Sequence, residues 1–437
     1  MPMLKQLLQS KFARNVILVA SGTAGAQAIT MAFSPIITRF YGPEAFGLLG
    51  TFTAILGIVM PIAALSYPIA IVLPKSDDDA KAIAKLSFRI AFVIALILSA
   101  ILLIAGNEIA ALLGMEAIAS FMLLIPIAMF FNALQQIMQQ WLIRKKQFKV
   151  TARIAISQSL ILNSSKVGVG FFYPFGSVLI VLSTLGNALY AAQLWFGAKK
   201  WADQDGRIDK ATKTVSLKEA AYKHRDFAYY RTPQVLVNAV SQSIPVLLLA
   251  SFFGPAVAGF FSLGKSVLSA PASLIGTSVG NVFYPKIAEA YNAGKNPIPF
   301  LNKATLATFL VGLIPFAIIM VFGVWVFEFV FGDEWTVAGQ YAQWMALWVL
   351  ISLAARPLIA TIPVIKIQGV FLIYEIVFLT LKAVALIVAG YVYKDALLAV
   401  AVYSLITASS YLVLYMITLS LIKARVNIHN ERYNRRN

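Results

Sequence analysis

The sequence predicts an all-α integral membrane protein with twelve transmembrane helices in two pseudo-symmetric six-helix bundles around a central cavity. Three observations lead to this fold class. Of the 437 residues, 60% are hydrophobic and only 12% are charged, and the mean hydropathy is +0.80, which is too apolar for an ordinary soluble protein. The apolar residues form twelve long runs, and one motif occurs twice, near the start of each half.

Each run is about as long as a bilayer requires, since a spanning helix needs about 20 apolar residues. In the first half the runs cover residues 15–38, 46–73, 86–106, 118–142, 154–173 and 175–197. In the second half they cover residues 227–252, 257–284, 304–330, 339–364, 369–392 and 396–422. The first run is too long for a signal-peptide core, so we expect it to be retained as a span.

The repeated motif reads FYGPEAFG at Phe40–Gly47 and FFGPAVAG at Phe252–Gly259. Each copy follows one apolar run and begins the next, and that second run ends in Pro-Lys, at Pro74 and at Pro285. Such self-similarity indicates one membrane unit present twice. We therefore predict an N-terminal bundle at 1–197, a cytoplasmic linker at 198–226, a C-terminal bundle at 227–422 and a basic cytoplasmic tail at 423–437.

The loop charges predict the orientation of the chain. Nearly all Lys and Arg residues outside the runs lie in loops on one side, and the other side carries only Arg39 and Lys394. By the positive-inside rule both termini are predicted to be cytoplasmic. The net charge of +18 therefore reflects membrane topology, and nucleic acid is not an expected partner.

The composition argues against enzyme chemistry. The chain has no cysteine and two histidines, His224 and His429, so disulfides and thiolate metal sites are excluded and a histidine metal site is not expected. No GxxxxGK[ST] loop is present, and no histidine-based triad can be assembled. We predict no catalytic residues, no metal site and no cofactor.

Cations occur inside the predicted spans. They are Lys166, Arg231, Lys265, Arg356 and Lys382. Charges at this depth are costly and normally face a bundle interior or a water-filled cavity, where only Glu375 and Glu328 oppose them. We predict a cationic cavity that binds an anionic substrate, and Glu375, two turns before Lys382, is the candidate residue for ion coupling. The alternative is that these cations pair with carboxylates or carbonyls and fix helix packing.

Amide side chains occur in two of the same spans. Asn132, Gln136 and Gln140 follow one another at four-residue spacing in the fourth span, and Asn238 and Gln242 lie in the seventh. Amides donate hydrogen bonds to sugar hydroxyls and accept hydrogen bonds from them, so these five residues are candidate sugar contacts. The alternative is that they hold neighbouring helices together.

Three motifs resemble one family. They are Thr38–Gly47 after the first span, the second copy from Phe252 through Lys265 to Lys286, and the basic end of the fourth span, Trp141–Phe148. Together with the twelve-span plan, they resemble the polysaccharide-unit flippases, the O-antigen and capsule exporters of the multidrug/oligosaccharidyl-lipid/polysaccharide superfamily. The resemblance covers about residues 12–422.

The resemblance implies a flippase of the bacterial inner membrane. Such a protein moves an undecaprenyl-diphosphate-linked oligosaccharide from the cytoplasmic to the outer leaflet by alternating access, coupled to an ion gradient. The implied partners are the anionic lipid-linked oligosaccharide and membrane lipids, and a polysaccharide polymerase and a chain-length regulator remain open as protein partners.

Two other functions stay open from the sequence. A multidrug or toxin extruder of the same superfamily would favour acidic residues in the N-terminal bundle, whereas Glu328 and Glu375 lie in the C-terminal one. A membrane polysaccharide polymerase or glycosyltransferase would need a substantial catalytic segment outside the membrane, and no loop between the runs is long enough.

Overall fold

The structure is a computed structural model that describes residues 11–205, 216–292, 296–365 and 367–434. Within these ranges all regular elements are helical and no strand occurs, which confirms the predicted all-α class. The first helices are α1 (Lys11–Phe40), α2 (Pro43–Ala63), α3 (Asp77–Leu112), α4 (Leu124–Arg144), α5 (Phe148–Gly170), α6 (Gly176–Asp205) and α7 (Leu217–Lys223). They are followed by α8 (Thr232–Phe253), α9 (Pro255–Asn292), α10 (Ile298–Phe331), α11 (Thr336–Ala354), α12 (Arg356–Thr361), α13 (Gln368–Val388) and α14 (Ala396–Asn434).

Nine helical segments among the described residues are long and apolar enough to cross a membrane. The chain is therefore a multi-pass membrane protein. Helices α1, α4 and α5 are not among the nine, although they contain 30, 21 and 23 residues. The amides of α4 and the polar residues of α5 lower the hydropathy of those two helices. The count of twelve spans thus stays a prediction.

The chain divides into two compact units, Met1–Ala258 and Gly259–Asn437. Helix α8 belongs to the first unit, where it packs against α2, whereas the sequence assigns it to the second bundle. The predicted bundle boundaries stay predictions. In the second unit α11 packs against both α10 and α14, and 67% of the apolar window within Asp333–Thr361 is buried. Only 6% of the apolar window of α3 is buried, and the same share holds for the segment Gln368–Tyr393 that contains α13, so each of these windows lies at the exterior of its own unit.

Both copies of the repeated motif begin a helix. Pro43 and Pro255 are the first residues of α2 and α9, a position that suits proline because the first N–H of a helix has no intrahelical partner. Gly254 has a φ of +86°, a backbone conformation that glycine adopts without strain. A Cβ at Gly47 would overlap the carbonyl of Pro255, so the two copies touch each other within the first unit.

The helices that follow the two copies differ in continuity. Helix α9 runs unbroken for 38 residues. In the first copy, α2 ends at Ala63, and Leu65 and Ser66 have φ values of +48° and +57°. A 3-10 turn, Tyr67–Val72, then leads to α3. The run predicted as one span over 46–73 is therefore broken, because the segment after α2 turns to pack against α3 and α4.

Part of the predicted linker packs on the first unit. Helix α6 extends to Asp205, and residues 206–215 lie outside the described ranges. In α7, Ala220 is buried in a cluster with Tyr67 and Ile83, and the hydroxyl of Tyr67 donates to the carbonyl of Ala221 at 3.1 Å. At the other end of the chain α14 continues to Asn434, so most of the predicted tail is helical.

Candidate functional site

A polar stripe lies along one face of α8 and the π turn before it. We define it by Arg231, Gln234, Asn238 and Gln242, whose three- and four-residue spacing places them on one side of the helix. Nη1 of Arg231 donates to Oε1 of Gln234 at 3.0 Å, and Arg231, Asn238 and Gln242 are exposed. Polar groups in a spanning helix are unfavourable against lipid, so the polar stripe indicates contact with water or with a polar substrate.

The exposure of this face ends in the middle of α8. Pro245 and Leu249 continue the same face, and both are buried. Arg231 lies at the other end of the stripe, in the π turn Phe227–Arg231, a rare geometry that is frequent at functional sites. The polar stripe therefore opens toward the predicted cytoplasmic end of the helix.

Lys166 lies on α5, close to polar contacts that join this helix to the first part of the chain. Oγ of Ser159 donates to the Ala26 carbonyl at 2.7 Å, Nδ2 of Asn163 donates to Oγ1 of Thr30 at 3.2 Å, and the Tyr41 hydroxyl donates to the Lys166 carbonyl at 3.0 Å. The Lys166 side chain is half-buried and forms no ion pair with a carboxylate of the described residues. Salt-bridged helix packing therefore does not explain Lys166.

The amides of α4 divide into two groups. Nε2 of Gln135 donates to the carbonyl of Asn187 at 2.8 Å, so this residue joins α4 to α6. The three predicted sugar contacts do not form such bonds: Nδ2 of Asn132 donates within its own helix, to the Ala128 carbonyl at 2.8 Å, Gln136 is exposed, and Gln140 is half-buried. Hydrogen bonding between helices therefore accounts for Gln135. It does not account for Asn132, Gln136 and Gln140, which stay candidate sugar contacts.

In the second unit, three of the predicted residues form one cluster with a tyrosine. Tyr411 of α14 interacts electrostatically with Arg356 of α12 and with Glu375 of α13, and Glu375 also interacts with Lys382. Arg356 packs against α9, because a Cβ at Gly276 would lie 3.1 Å from its Nε. We call Arg356, Glu375, Lys382 and Tyr411 the charged cluster.

Lys265, another of the predicted cations, lies on α9 in the second unit. It is half-buried and lies one turn after Phe261 on α9. The centroid of the Phe261 ring is 6.1 Å from that of Tyr403 on α14. Glu328, the other predicted interior acid, is exposed near the end of α10. Of the two acids, only Glu375 belongs to the cluster.

The sequence reasoning missed Tyr411. A tyrosine inside an apolar run carries no formal charge, so the search for charged residues passed over it. The available signal was the spacing of Tyr403 and Tyr411, eight residues apart on one face of the last span. Tyr374, beside Glu375, belongs to the same hydrophobic cluster as Tyr411 and Leu414 of α14, which further links α13 to α14.

The basic end of α4 has a structural role. Nε of Arg144 is 2.8 Å from Oδ1 of Asp77, and its Nη1 donates to the carbonyls of Pro74 at 2.6 Å and Ile71 at 3.2 Å. Lys145 pairs with the other carboxylate oxygen of Asp77. These contacts fix the segment between α2 and α3, so this motif does not belong to the candidate binding surface.

Comparison with known proteins agrees with this architecture. A family model described as "Polysaccharide biosynthesis protein" matches residues 36–340, which is more than half of the chain. A curated relative, the amylovoran biosynthesis protein AmsL of Erwinia amylovora, is 20% identical over 215 residues, which are 49% of this chain and 53% of that protein. The matched region thus spans about half the length of this relative.

Solved structures share the fold over nearly the whole chain. The lipid II flippase MurJ in an inward closed conformation has a TM-score of 0.70 at 15% identity, over 93% of this chain and 92% of MurJ. An inward-facing multidrug resistance MATE family transporter of the MOP superfamily has a TM-score of 0.69 at 14% identity, over 91% and 95%. These likenesses show that the chain shares the fold of those two structures, and the match of the family model over residues 36–340 shows that the chain belongs to the polysaccharide biosynthesis protein family.

Proposed function

We propose that this protein is a flippase that moves an undecaprenyl-diphosphate-linked oligosaccharide from the cytoplasmic to the outer leaflet of the bacterial inner membrane by alternating access. The observation that carries the proposal is the polar stripe of α8, where an exposed cation and exposed amides follow one another along a membrane-spanning helix. A lipid-linked oligosaccharide presents the same order of groups, a diphosphate followed by sugar hydroxyls.

The chemistry of each group matches one part of that substrate. Arg231 offers a planar fork of donors that suits phosphate oxygens. Asn238 and Gln242 both donate and accept, as sugar hydroxyls require. Lys166 adds a half-buried cation without a carboxylate partner among the described residues. The isoprenoid tail would stay in lipid while these groups conduct the polar head.

The charged cluster supports coupling to an ion gradient. Glu375 interacts with Lys382 and with Tyr411, so protonation of the carboxylate, or binding of Na⁺ to it, would change the balance of charge in α13 and α14. A transporter needs such a site to be alternately filled and emptied. Lys265 and Arg356 complete the cations that we assign to the substrate pathway.

The orientation and partners belong to the same proposal. The loop charges support cytoplasmic termini, and the substrate chemistry supports a place beside a polysaccharide polymerase and a chain-length regulator that use the translocated unit.

A multidrug extruder is the second candidate, because a MATE transporter shares the fold with a TM-score of 0.69. The charges argue against it, since cationic drugs would meet Arg231 and Lys166 rather than carboxylates. We expect cells that express the protein to show unchanged tolerance to cationic drugs, and increased tolerance that depends on Glu375 would favour this candidate over the flippase.

Reconstitution tests the proposal directly. In proteoliposomes that contain a fluorescent polyprenyl-diphosphate oligosaccharide, a membrane-impermeant quencher reports how fast the head group changes leaflet. We expect Lys166→Gln and Arg231→Gln to slow translocation about tenfold or more, the value of one charged contact, and Lys199→Gln, an exposed cation at the end of α6, to leave the rate unchanged. A wild-type protein that does not accelerate translocation over empty liposomes would refute the proposed function.

A further inference from the structure

Helix α3 presents a face to the hydrocarbon of the membrane. Its apolar window is only 6% buried, and Phe88, Phe92 and Leu96 are 45%, 52% and 62% exposed. Spacings of three and four residues place these side chains on one side of the helix. Exposed aromatic and aliphatic side chains along a spanning helix are those that contact acyl chains.

The same face ends in cations on the predicted cytoplasmic side. Lys81, Lys85 and Arg89 follow at four-residue spacing, and all three are exposed. Lys81 pairs with Asp78 at 3.5 Å. Lys85 and Arg89, in contrast, form no ion pair with any carboxylate in the described part of the chain. They lie about 6 Å apart along the helix axis, where the headgroup region meets hydrocarbon.

An aromatic patch lies beside these two cations. The ring of Phe130, on α4, contacts those of Phe88 at 5.8 Å and Phe92 at 6.0 Å, both edge to face. Phe88 lies between Lys85 and Arg89 in sequence, and Phe92 follows one turn later. Two cations therefore stand at the rim of an apolar surface made by two helices.

This arrangement fits an amphiphile whose head carries adjacent phosphates and whose tail is apolar and unsaturated. Arg89 can bind phosphate oxygens through two parallel bonds, and Lys85 adds a second positive charge. A phospholipid with one phosphate satisfies only part of this pair. The tail would lie on the rings of Phe88, Phe92 and Phe130, which offer large rigid apolar area.

We propose that Lys85, Arg89 and the aromatic patch form a docking site for a polyprenyl diphosphate, where the lipid-linked substrate is collected from the inner leaflet before it reaches the polar stripe. This inference rests on the proposed function and adds a second site to it, on the lipid-facing side of the first unit.

Binding to the intact protein tests the site. The protein is placed in nanodiscs of a neutral phospholipid, and binding of undecaprenyl diphosphate is measured by native mass spectrometry. We expect Lys85→Gln/Arg89→Gln to weaken binding about tenfold or more, and Lys199→Gln/Lys200→Gln, which removes two exposed cations from the end of α6, to bind as the wild type does. Phe88→Ala/Phe92→Ala should weaken binding of undecaprenyl diphosphate without affecting inorganic diphosphate.

Two results would overturn the site. One is undiminished binding by the Lys85→Gln/Arg89→Gln variant. The other is full displacement of undecaprenyl diphosphate by an equal mole fraction of phosphatidylglycerol, which would make the pair a general anionic-lipid contact. The test separates this inference from the proposed function. A wild-type protein that binds undecaprenyl diphosphate through these residues but does not translocate it contradicts only the flippase. A wild-type protein that translocates the lipid, while the Lys85→Gln/Arg89→Gln variant binds it as tightly as the wild type does, contradicts only the docking site.

Discussion

Replacing Arg144 should destabilise the first unit measurably. Its side chain is only 10% exposed, and it bonds to Asp77 at 2.8 Å and to the carbonyls of Pro74 and Ile71 at 2.6 and 3.2 Å. A hydrogen bond to a charged group contributes about 1.5–3 kcal/mol, and each bond to a carbonyl contributes about 0.5–1.5 kcal/mol. Asp77 is 25% exposed and keeps Lys145 as a partner, so water and Lys145 recover part of the loss.

We therefore expect Arg144→Ala to lower the free energy of unfolding by about 2–3 kcal/mol. Arg144→Lys should cost less, about 1–2 kcal/mol, because the ammonium keeps the charge but cannot reach the carboxylate and the carbonyls together. The measurement is a denaturant titration in mixed micelles, followed by tryptophan fluorescence. Lys149→Ala, an exposed cation at the start of α5, is the matched control and should change stability by less than about 0.5 kcal/mol. An Arg144→Ala protein as stable as this control would refute the reasoning.

Three further predictions address the repeated motif, the polar stripe and the linker. Gly47→Ala should cost about 1–3 kcal/mol in the same titration, because a Cβ there overlaps the Pro255 carbonyl, whereas Gly168→Ala, with open space around it, should be neutral or stabilising. Asn238→Leu should slow translocation of the oligosaccharide without lowering stability, and an unchanged rate would remove Asn238 from the pathway. Burial lowers the pKa of His224 below 6.5, so its NMR titration should have its midpoint under that value. The unfolded chain, in which His224 has its ordinary pKa, therefore binds the proton more readily than the folded protein does. As a result, the contribution of His224 to stability should fall as the pH drops through about 6.5.

The sequence was sufficient for the all-α class and for the position of the repeated motif. Runs of about 20 apolar residues and Gly-Pro pairs are local signals, and both Gly-Pro pairs begin helices as their chemistry requires. The break after α2 was not predictable in this way, because residues 46–73 are apolar throughout. It depends on tertiary contacts, such as the hydrogen bond from Tyr67 to Ala221, that no local pattern contains.

Which members of the candidate site lie together was predictable only where they share one helix. Glu375 and Lys382 share one helix, so their spacing placed them together. Arg356 and Tyr411 lie on different helices and meet through the packing of the second unit, which sequence periodicity does not report. The amides of α4 show the same limit, since Gln135 and Gln136 are neighbours in sequence, yet one bonds to α6 and the other is exposed.

The absence of a carboxylate partner for Lys166 among the described residues bears on the proposed substrate. Lys166 is half-buried in α5, a predicted span, and has no carboxylate partner among the described residues. A cation in that position raises the energy of the empty protein. An anionic head group that binds there supplies the counter-charge, so binding relieves this cost and stabilises the folded state in proportion to ligand occupancy. A cationic drug would increase the cost instead. Stabilisation by soluble diphosphate that is lost in Lys166→Gln would therefore separate the two candidate functions without a transport measurement.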